Sequence, residues 1–345
     1  GAGRDILSAL YFEQNSVVAV EINSNVLHVV HDVFGDFSGH LDQHPKVTLV
    51  NDEARSYVAR SPDLFDIIQI SLIDSWASTA AGAFVLTESG LYTVEAWEMF
   101  LRHLKPGGIL TLTRYYYAPM PGTAYRLVSV AVAALEELGV ENPRDHIALV
   151  RAPFHMKAPL THVTILVSPN PFSEADLERL GDITTEMAFL PLLTPSFAAD
   201  KTFQAVSSAE HRTQLFEEFP YNIEPSTDDK PFFFHMLRFS DILNSETWND
   251  QGFVNFNVRA VLVLGSLLAT VSVLTLFFVF VPLILRGPVT RGRKVIPWFM
   301  HFAGIGAGFM MIEISQVERL IVFLGHPVYS LTVVLFTLLL ASGLG

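Results

Sequence analysis

Gly1-Ala-Gly-Arg-Asp5 leads into the amphipathic stretch Ile6–Tyr11 and then into Val17-Val-Ala-Val-Glu21, a β-branched run closed by an acid. Two glycines spaced i,i+2 let the backbone turn sharply into a helix and leave room for a ligand to approach the main chain. An acid closing the next strand, about 20 residues on, is the group that accepts hydrogen bonds from ribose hydroxyls in doubly wound nucleotide sites. A dinucleotide needs a small residue at the sixth position, where helix and strand pack over a pyrophosphate. Here that position is Ile6. The turn therefore suits a nucleoside without a pyrophosphate, although the same pattern also fits a plain tight strand–helix turn.

Outward from this turn, short apolar runs alternate with amphipathic stretches over the first 168 residues, the pattern of an α/β domain around a parallel sheet. Strands are predicted at Val17–Glu21, Val47–Asn51, Asp66–Leu72, Gly108–Arg114, Ile147–Arg151 and Val163–Ser168. Helices are predicted at Ile6–Tyr11, Asn23–Asp32, Ala54–Ala59, Val94–Leu104 and Ala124–Leu138. Lys105-Pro-Gly-Gly108 reads as the end of a helix and the launch of a strand. The chain reads as a fragment cut at both ends, with the strand before Gly1 missing.

Two further strands end in acids. Val47-Thr-Leu-Val-Asn-Asp52 places a carboxylate at the carboxyl edge of the sheet, where it can accept from an adenine amino group. Phe65-Asp-Ile-Ile-Gln-Ile-Ser71-Leu-Ile-Asp74 empties into a polar loop. Acids at three consecutive strand ends point to one bound nucleoside, such as S-adenosylmethionine, and core packing does not require them.

Half of the 345 residues are hydrophobic and 17% are charged, too apolar for a disordered chain and for a typical fully soluble enzyme. Residues 1–259 hold 17 Lys/Arg against 33 Asp/Glu, whereas 260–345 hold 5 against 2. This acidic balance argues against nucleic-acid binding. The absence of cysteine excludes disulfides, Cys-ligated zinc and thiol catalysis.

The stretch 169–255 gives a weaker signal and is read as an extension or linker. Ser173 ahead of Glu174-Ala-Asp-Leu177 reads as a capped helix, and Asp228-Asp-Lys-Pro231 as a turn into an apolar segment. The last part, 256–345, is read as a membrane region with about three apolar helices, at 260–285, 295–312 and 320–344. The first is 26 residues without a charge, long enough to cross about 30 Å of hydrocarbon. The second helix is expected to end at Ile312, which would make Glu313, Gln316, Glu318 and Arg319 interfacial. Gly304, Gly306 and Gly308 give it a flat face. The basic loop Arg286–Lys294 should be cytoplasmic. A single crossing would then face the acidic domain outward, so charge and the cytosolic location of the donor nucleoside pull in opposite directions.

His28, His31, His40 and His44 lie within 17 residues, beside Asp32, Asp36 and Asp42. A metal site needs them on one face; a solvated helix and its loop explain the same spacing, and no metal is expected. Tyr115-Tyr-Tyr117 past a strand end fits a pocket wall or a packed aromatic edge.

With these residues together, the sequence resembles the spermidine synthase (polyamine aminopropyltransferase) family, and more narrowly its membrane-fused bacterial branch. Gly1 and Gly3 match the family's sulfonium-nucleoside loop, Glu21 its ribose ligand, and Asp52 in Asn-Asp-Glu-Ala-Arg its adenine ligand. Leu91-Tyr-Thr-Val-Glu95 matches the stretch that closes the active-site loop. The narrower branch is matched by Thr227-Asp-Asp-Lys-Pro-Phe-Phe-Phe234 and the segment through Gly325-His-Pro327.

The resemblance implies a Rossmann-like transferase domain at 1–168 that uses S-adenosylmethionine or decarboxylated S-adenosylmethionine as co-substrate. The family's Asp-x-x-Asp-Pro element is altered: Ser71 replaces the first Asp, Asp74 is the second, and Ser75 replaces the Pro. A serine cannot serve as the carboxylate base, so Asp74 is the candidate. Trp76, Glu88, Tyr92 and Glu95 are candidates for holding a small cationic acceptor such as a polyamine. The expectation is a multi-pass protein of the bacterial inner membrane, its partner surface the lipid bilayer and its soluble domain cytoplasmic, with a homo-oligomer left open. Methyl transfer to a membrane-proximal substrate and a non-catalytic sensor or transport component are the alternatives.

Overall fold

The computed structural model describes residues 3–73, 88–119, 121–153, 160–208, 212–238, 253–282, 295–324 and 327–344. They fall into two compact units, Gly1–Ser61 with Leu267–Gly345, and Pro62–Ser266.

The first unit begins with α1 (Arg4–Tyr11), followed by β1 (Val17–Val20) and β2 (Val47–Val50). The two strands pair in parallel, Val17 with Val47 through to Val20 with Val50. Ile6 and Leu10 of α1 pack on Val17, Ala19 and Leu49, and Leu41 and Val47 complete this small core. Ile6, too large for a dinucleotide turn, is thus a core residue. Between the strands lie α2 (Ser24–His28), a π-helical turn (Val29–Val33) and α3 (Gly35–Ser38). Asn23 caps α2 by accepting the Asn25 N–H at 3.0 Å. After β2 comes α4 (Ala54–Arg60), capped by Glu53, whose two carboxylate oxygens accept the Arg55 and Ser56 N–H groups.

The second unit is a five-stranded sheet in the order β3-β4-β6-β5-β7. Its strands are β3 (Phe65–Ser71), β4 (Leu104–Tyr117), β5 (Ile147–Arg151), β6 (Leu160–Val167) and β7 (Leu190–Leu193). β3 and β4 are parallel, but β6 runs antiparallel to both β4 and β5, and β7 antiparallel to β5. The expected all-parallel sheet is therefore corrected to a mixed one. The eight residues 152–159 between β5 and β6 are too few for a parallel crossover, so the chain folds straight back. β7 escaped prediction because Pro191 interrupts a four-residue run. β4 is also longer than expected. It starts at Leu104, and Pro106-Gly107 lies within it at a register shift opposite Phe65–Ile67. Gly107, at φ +78°, takes the left-handed conformation there.

Two helices pack against each other in this unit, α5 (Val94–Arg102) and α6 (Gly122–Glu137). α5 buries Trp97, Phe100 and Leu101. α6 is buried on nearly every side from Gly122 to Leu135, as its apolar composition requires. Beyond the sheet strands come α7 (Glu174–Glu186), α8 (Lys201–Val206) and α9 (Arg212–Glu218). α7 starts as expected from Ser173, which forms a capping box with Asp176. Gly122 opens α6 under the Tyr221 ring, where an added Cβ would stand 2.3 Å from Cε2. Gly122→Ala is accordingly expected to lower stability by about 1–3 kcal/mol. An unchanged melting temperature would show that this contact is not tight.

Three apolar helices follow: α10 (Phe253–Thr275), α11 (Val295–Leu324) and α12 (Pro327–Leu344). Among the described residues one helix is long and apolar enough to cross a membrane, Ala260–Phe278, with mean hydropathy 2.4. α11 does not end at Ile312 as expected. It continues through Glu313, Gln316, Glu318 and Arg319 because no Gly or Pro interrupts it before Gly325 and Pro327. α11 and α12 pack together, and the Ser330 hydroxyl, fully buried, donates to the Val317 carbonyl at 2.6 Å.

Candidate functional site

Of the glycine turn in the first unit, the structure describes Gly3. Gly3 caps α1 at φ +87°, a left-handed conformation, and its carbonyl accepts the Leu7 N–H at 2.9 Å. A Cβ at Gly3 would lie 2.6 Å from Leu41 Cδ1, so both backbone angle and space select glycine. Gly1 lies outside the described residues.

Glu21 and Asp52 come one and two residues after the paired ends of β1 and β2, at one edge of one parallel pair. The Glu21 N–H donates to the Val50 carbonyl at 3.0 Å. Asn51, which sequence reasoning passed over, ties the two strand exits together. Its Nδ2 donates to the Glu21 carbonyl at 2.8 Å and to the Ile22 carbonyl at 3.1 Å. Glu21 Oε1 accepts the Asn23 N–H at 3.0 Å. Burial raises the Glu21 pKa, and the backbone N–H groups of Asn23 and Ile22 lower it. Asp52 is engaged on both oxygens, Oδ1 by the Glu53 N–H at 2.8 Å and Oδ2 by the Arg60 guanidinium. A ligand reaching Asp52 would share it with Arg60.

The histidines each find a separate partner. His28 pairs with Asp32 at 2.7 Å, His40 with Asp36 at 2.9 Å and His31 with Asp42 at 3.3 Å, while His44 Nδ1 accepts the Lys46 N–H. Among the described residues no three metal-ligating side chains gather.

In the second unit, β3 delivers Ser71, with Gln69 Nε2 donating to its hydroxyl at 3.3 Å. The next residue, Leu72, sits at φ +49° with its N–H on the Thr113 carbonyl. A branched side chain in this conformation costs about 1–2 kcal/mol, the kind of strain that collects where a chain is aimed into a site. Asp74 and Trp76 fall outside the described residues.

Glu88 and Tyr92 lie on the loop that enters α5, and Glu95 in the first turn of that helix. Tyr92 is 1% exposed, its ring stacked on Phe233 at 4.6 Å and edge-on to Phe234 at 5.8 Å, so in this structure it packs a wall. Glu95, in the first turn of α5 behind the Thr93 cap, is half-buried; its Oε2 accepts the Asp228 N–H at 2.9 Å. Arg114 was not singled out from sequence. Its guanidinium lies 4.7 to 5.7 Å from the ring centroids of Phe234, Phe233 and Tyr92. The signal was present: Arg114 falls in phase with Leu110, Leu112 and Tyr116 on the buried face of β4. Tyr116 is buried, and burial pushes its hydroxyl pKa up, with the Arg151 charge opposing. Tyr115 lies against the His162 ring at 5.1 Å.

Comparison with known proteins finds no matching family model. Among solved structures, a "probable spermidine synthase from Corynebacterium glutamicum ATCC 13032" is similar at 18% identity and TM-score 0.42, over 58% of this chain and 64% of that one. The spermidine synthase from Thermotoga maritima is similar at 15% identity and TM-score 0.37, over 51% of this chain and 53% of that one. The N-methyltransferase NodS from Bradyrhizobium japonicum WM9, solved with S-adenosyl-l-homocysteine, is similar at 12% identity and TM-score 0.31, over 49% and 74%. A likeness of this degree assigns neither activity nor ligand to the chain.

Proposed function

We propose that the chain is a membrane-anchored alkyl transferase whose donor is S-adenosylmethionine or decarboxylated S-adenosylmethionine. The observation that carries this reading is the parallel exit of β1 and β2, with Glu21 and Asp52 at the same edge behind the left-handed Gly3 turn. Ligands of open α/β sheets bind at such carboxyl edges. Gly1 and Gly3 would let the nucleoside approach the backbone, Glu21 would accept from the ribose hydroxyls, and Asp52 would accept from the adenine amino group.

Transfer is a displacement at the carbon next to the sulfonium. The acceptor lone pair forms the new bond, the carbon–sulfur bond breaks, and a neutral thioether leaves. A protonated amine cannot attack, so a carboxylate must take its proton; Asp74 is assigned this role, as base or cation ligand. Glu88 and Glu95 would hold a cationic acceptor such as a polyamine, with Trp76 and Tyr92 as apolar walls. Aminopropyl transfer would place the protein in polyamine biosynthesis. Ser71 at the usual base position favours a second reading, methyl transfer to a membrane-proximal substrate, for which an alcohol there is no handicap.

For the membrane, the proposal is a multi-pass anchor in a bacterial inner membrane, with the soluble domain on the cytoplasmic side. Membrane association is supported by the Ala260–Phe278 helix; the step to several crossings is drawn from the exposed apolar side chains of α11 and α12, Phe302, Met311 and Leu339 among them. Mass spectrometry of products formed from each donor with putrescine-like diamines and with membrane lipids tests the reading. An aminopropylated or methylated product supports it and separates the two chemistries. Binding without turnover, unchanged in Asp74→Asn, would instead leave a sensor or transport component.

A further inference from the structure

The segment 222–238 is fastened at its backbone by side chains from α6. Arg126, 5% exposed, donates from Nε to the Glu224 carbonyl at 2.7 Å. Its Nη1 donates to the carbonyls of Phe233 at 2.8 Å, His235 at 2.7 Å and Phe232 at 3.3 Å. One turn along, the Ser129 hydroxyl donates to the Ile223 carbonyl at 2.8 Å. These partners are main-chain oxygens spread over a dozen residues, so one guanidinium fork fixes the path of the whole segment. Burial lowers the Arg126 pKa to about 10, with the Glu224 charge opposing, and the group stays charged at neutral pH.

The far side of the same segment holds the loop into α5. The Ser226 carbonyl accepts the Val94 N–H at 2.9 Å, and the Ser226 hydroxyl donates to the Tyr92 carbonyl at 2.7 Å. The Pro231 carbonyl accepts the Ser89 N–H at 2.7 Å, and the Asp228 N–H holds Glu95. We propose that Arg126 is a positioning residue: by clasping 224–235 it sets the placement of Ser89–Glu95, and through the Asp228 N–H the orientation of the Glu95 carboxylate. The functional half of this inference rests on the transferase reading, in which Glu95 holds the cationic acceptor; the positional half does not.

Lysine keeps the charge but not the fork, so the test is Arg126→Lys, read by amide hydrogen exchange and by steady-state kinetics with a diamine acceptor. Exchange at the Ser89, Val94 and Asp228 amides should quicken by about tenfold or more while the amides of β4 and β6 keep their rates. The acceptor KM should rise by about tenfold, with kcat and donor affinity unchanged. Ser129→Ala, which removes one contact to the same segment, should move the same amides by less. Unchanged exchange at the three amides would overturn the proposal. So would equal loosening of β4 and β6, which would make Arg126 a general core residue, or a loosened loop with an unaltered KM. If the unmodified protein transfers nothing from either donor, the transferase reading fails by itself, and the exchange rates still decide the positional claim.

Discussion

Phe233→Ala is expected to lower the stability of the protein by about 3–5 kcal/mol, the cost of emptying a fully enclosed aromatic site. Phe233 has no exposed surface. Its ring stacks on Tyr92 at 4.6 Å and 25°, meets Phe234 edge-on at 5.2 Å, and lies 5.0 Å from the Arg114 guanidinium. Truncation would remove the transfer energy and leave a cavity. Aromatic pairing worth about 0.5–1.5 kcal/mol and a cation–π contact of about 0.5–2 kcal/mol would go with it. At about 2–4 °C per kcal/mol for a unit of this size, the midpoint of thermal unfolding should fall by roughly 6–20 °C. Phe233→Leu, which keeps most of the volume, should cost less than about 3 kcal/mol. A fall of under about 1 kcal/mol for the alanine variant would mean that this cluster does not hold the second unit together.

The second large effect concerns ligand rather than fold. Glu21→Ala should weaken binding of an adenosyl sulfonium ligand by about 100-fold or more, from the loss of two charge-assisted hydrogen bonds of about 1.5–3 kcal/mol each. The fold should survive, since bonds from backbone N–H groups such as that of Asn23 are worth about 1 kcal/mol each. Glu21→Gln keeps the shape and loses the charge, so its loss should be smaller, about tenfold.

Much of the arrangement in the first unit could be read from sequence because it is local. The Gly3 turn, the strand before Glu21 and the strand before Asp52 each declare themselves within a few residues, through β-branched runs that end in acids. β5 was placed residue for residue for the same reason. Strand direction was not legible: a buried strand reads the same whether its neighbour is parallel or antiparallel, so β6 could not be distinguished from a parallel strand. β7 was hidden by Pro191 in a four-residue run. The contacts that shape the loop into α5 were out of reach, because the Asp228 N–H and Glu95 are 133 positions apart. Arg114 lay between these cases. Its place in the two-residue rhythm of β4 marks it as inward-facing, but the rings it lies over come from two other segments. α11 ran past Ile312 because charge alone does not end a helix when no breaker is present.

Calorimetric titration of the protein with S-adenosylmethionine and with its decarboxylated form tests the claim that the edge of β1 and β2 is a nucleoside site. Saturable binding of at least one of them, weakened by about 100-fold or more in Glu21→Ala and less in Asp52→Ala, is the expected result. Absence of binding for both compounds, or binding that ignores both substitutions, would contradict it.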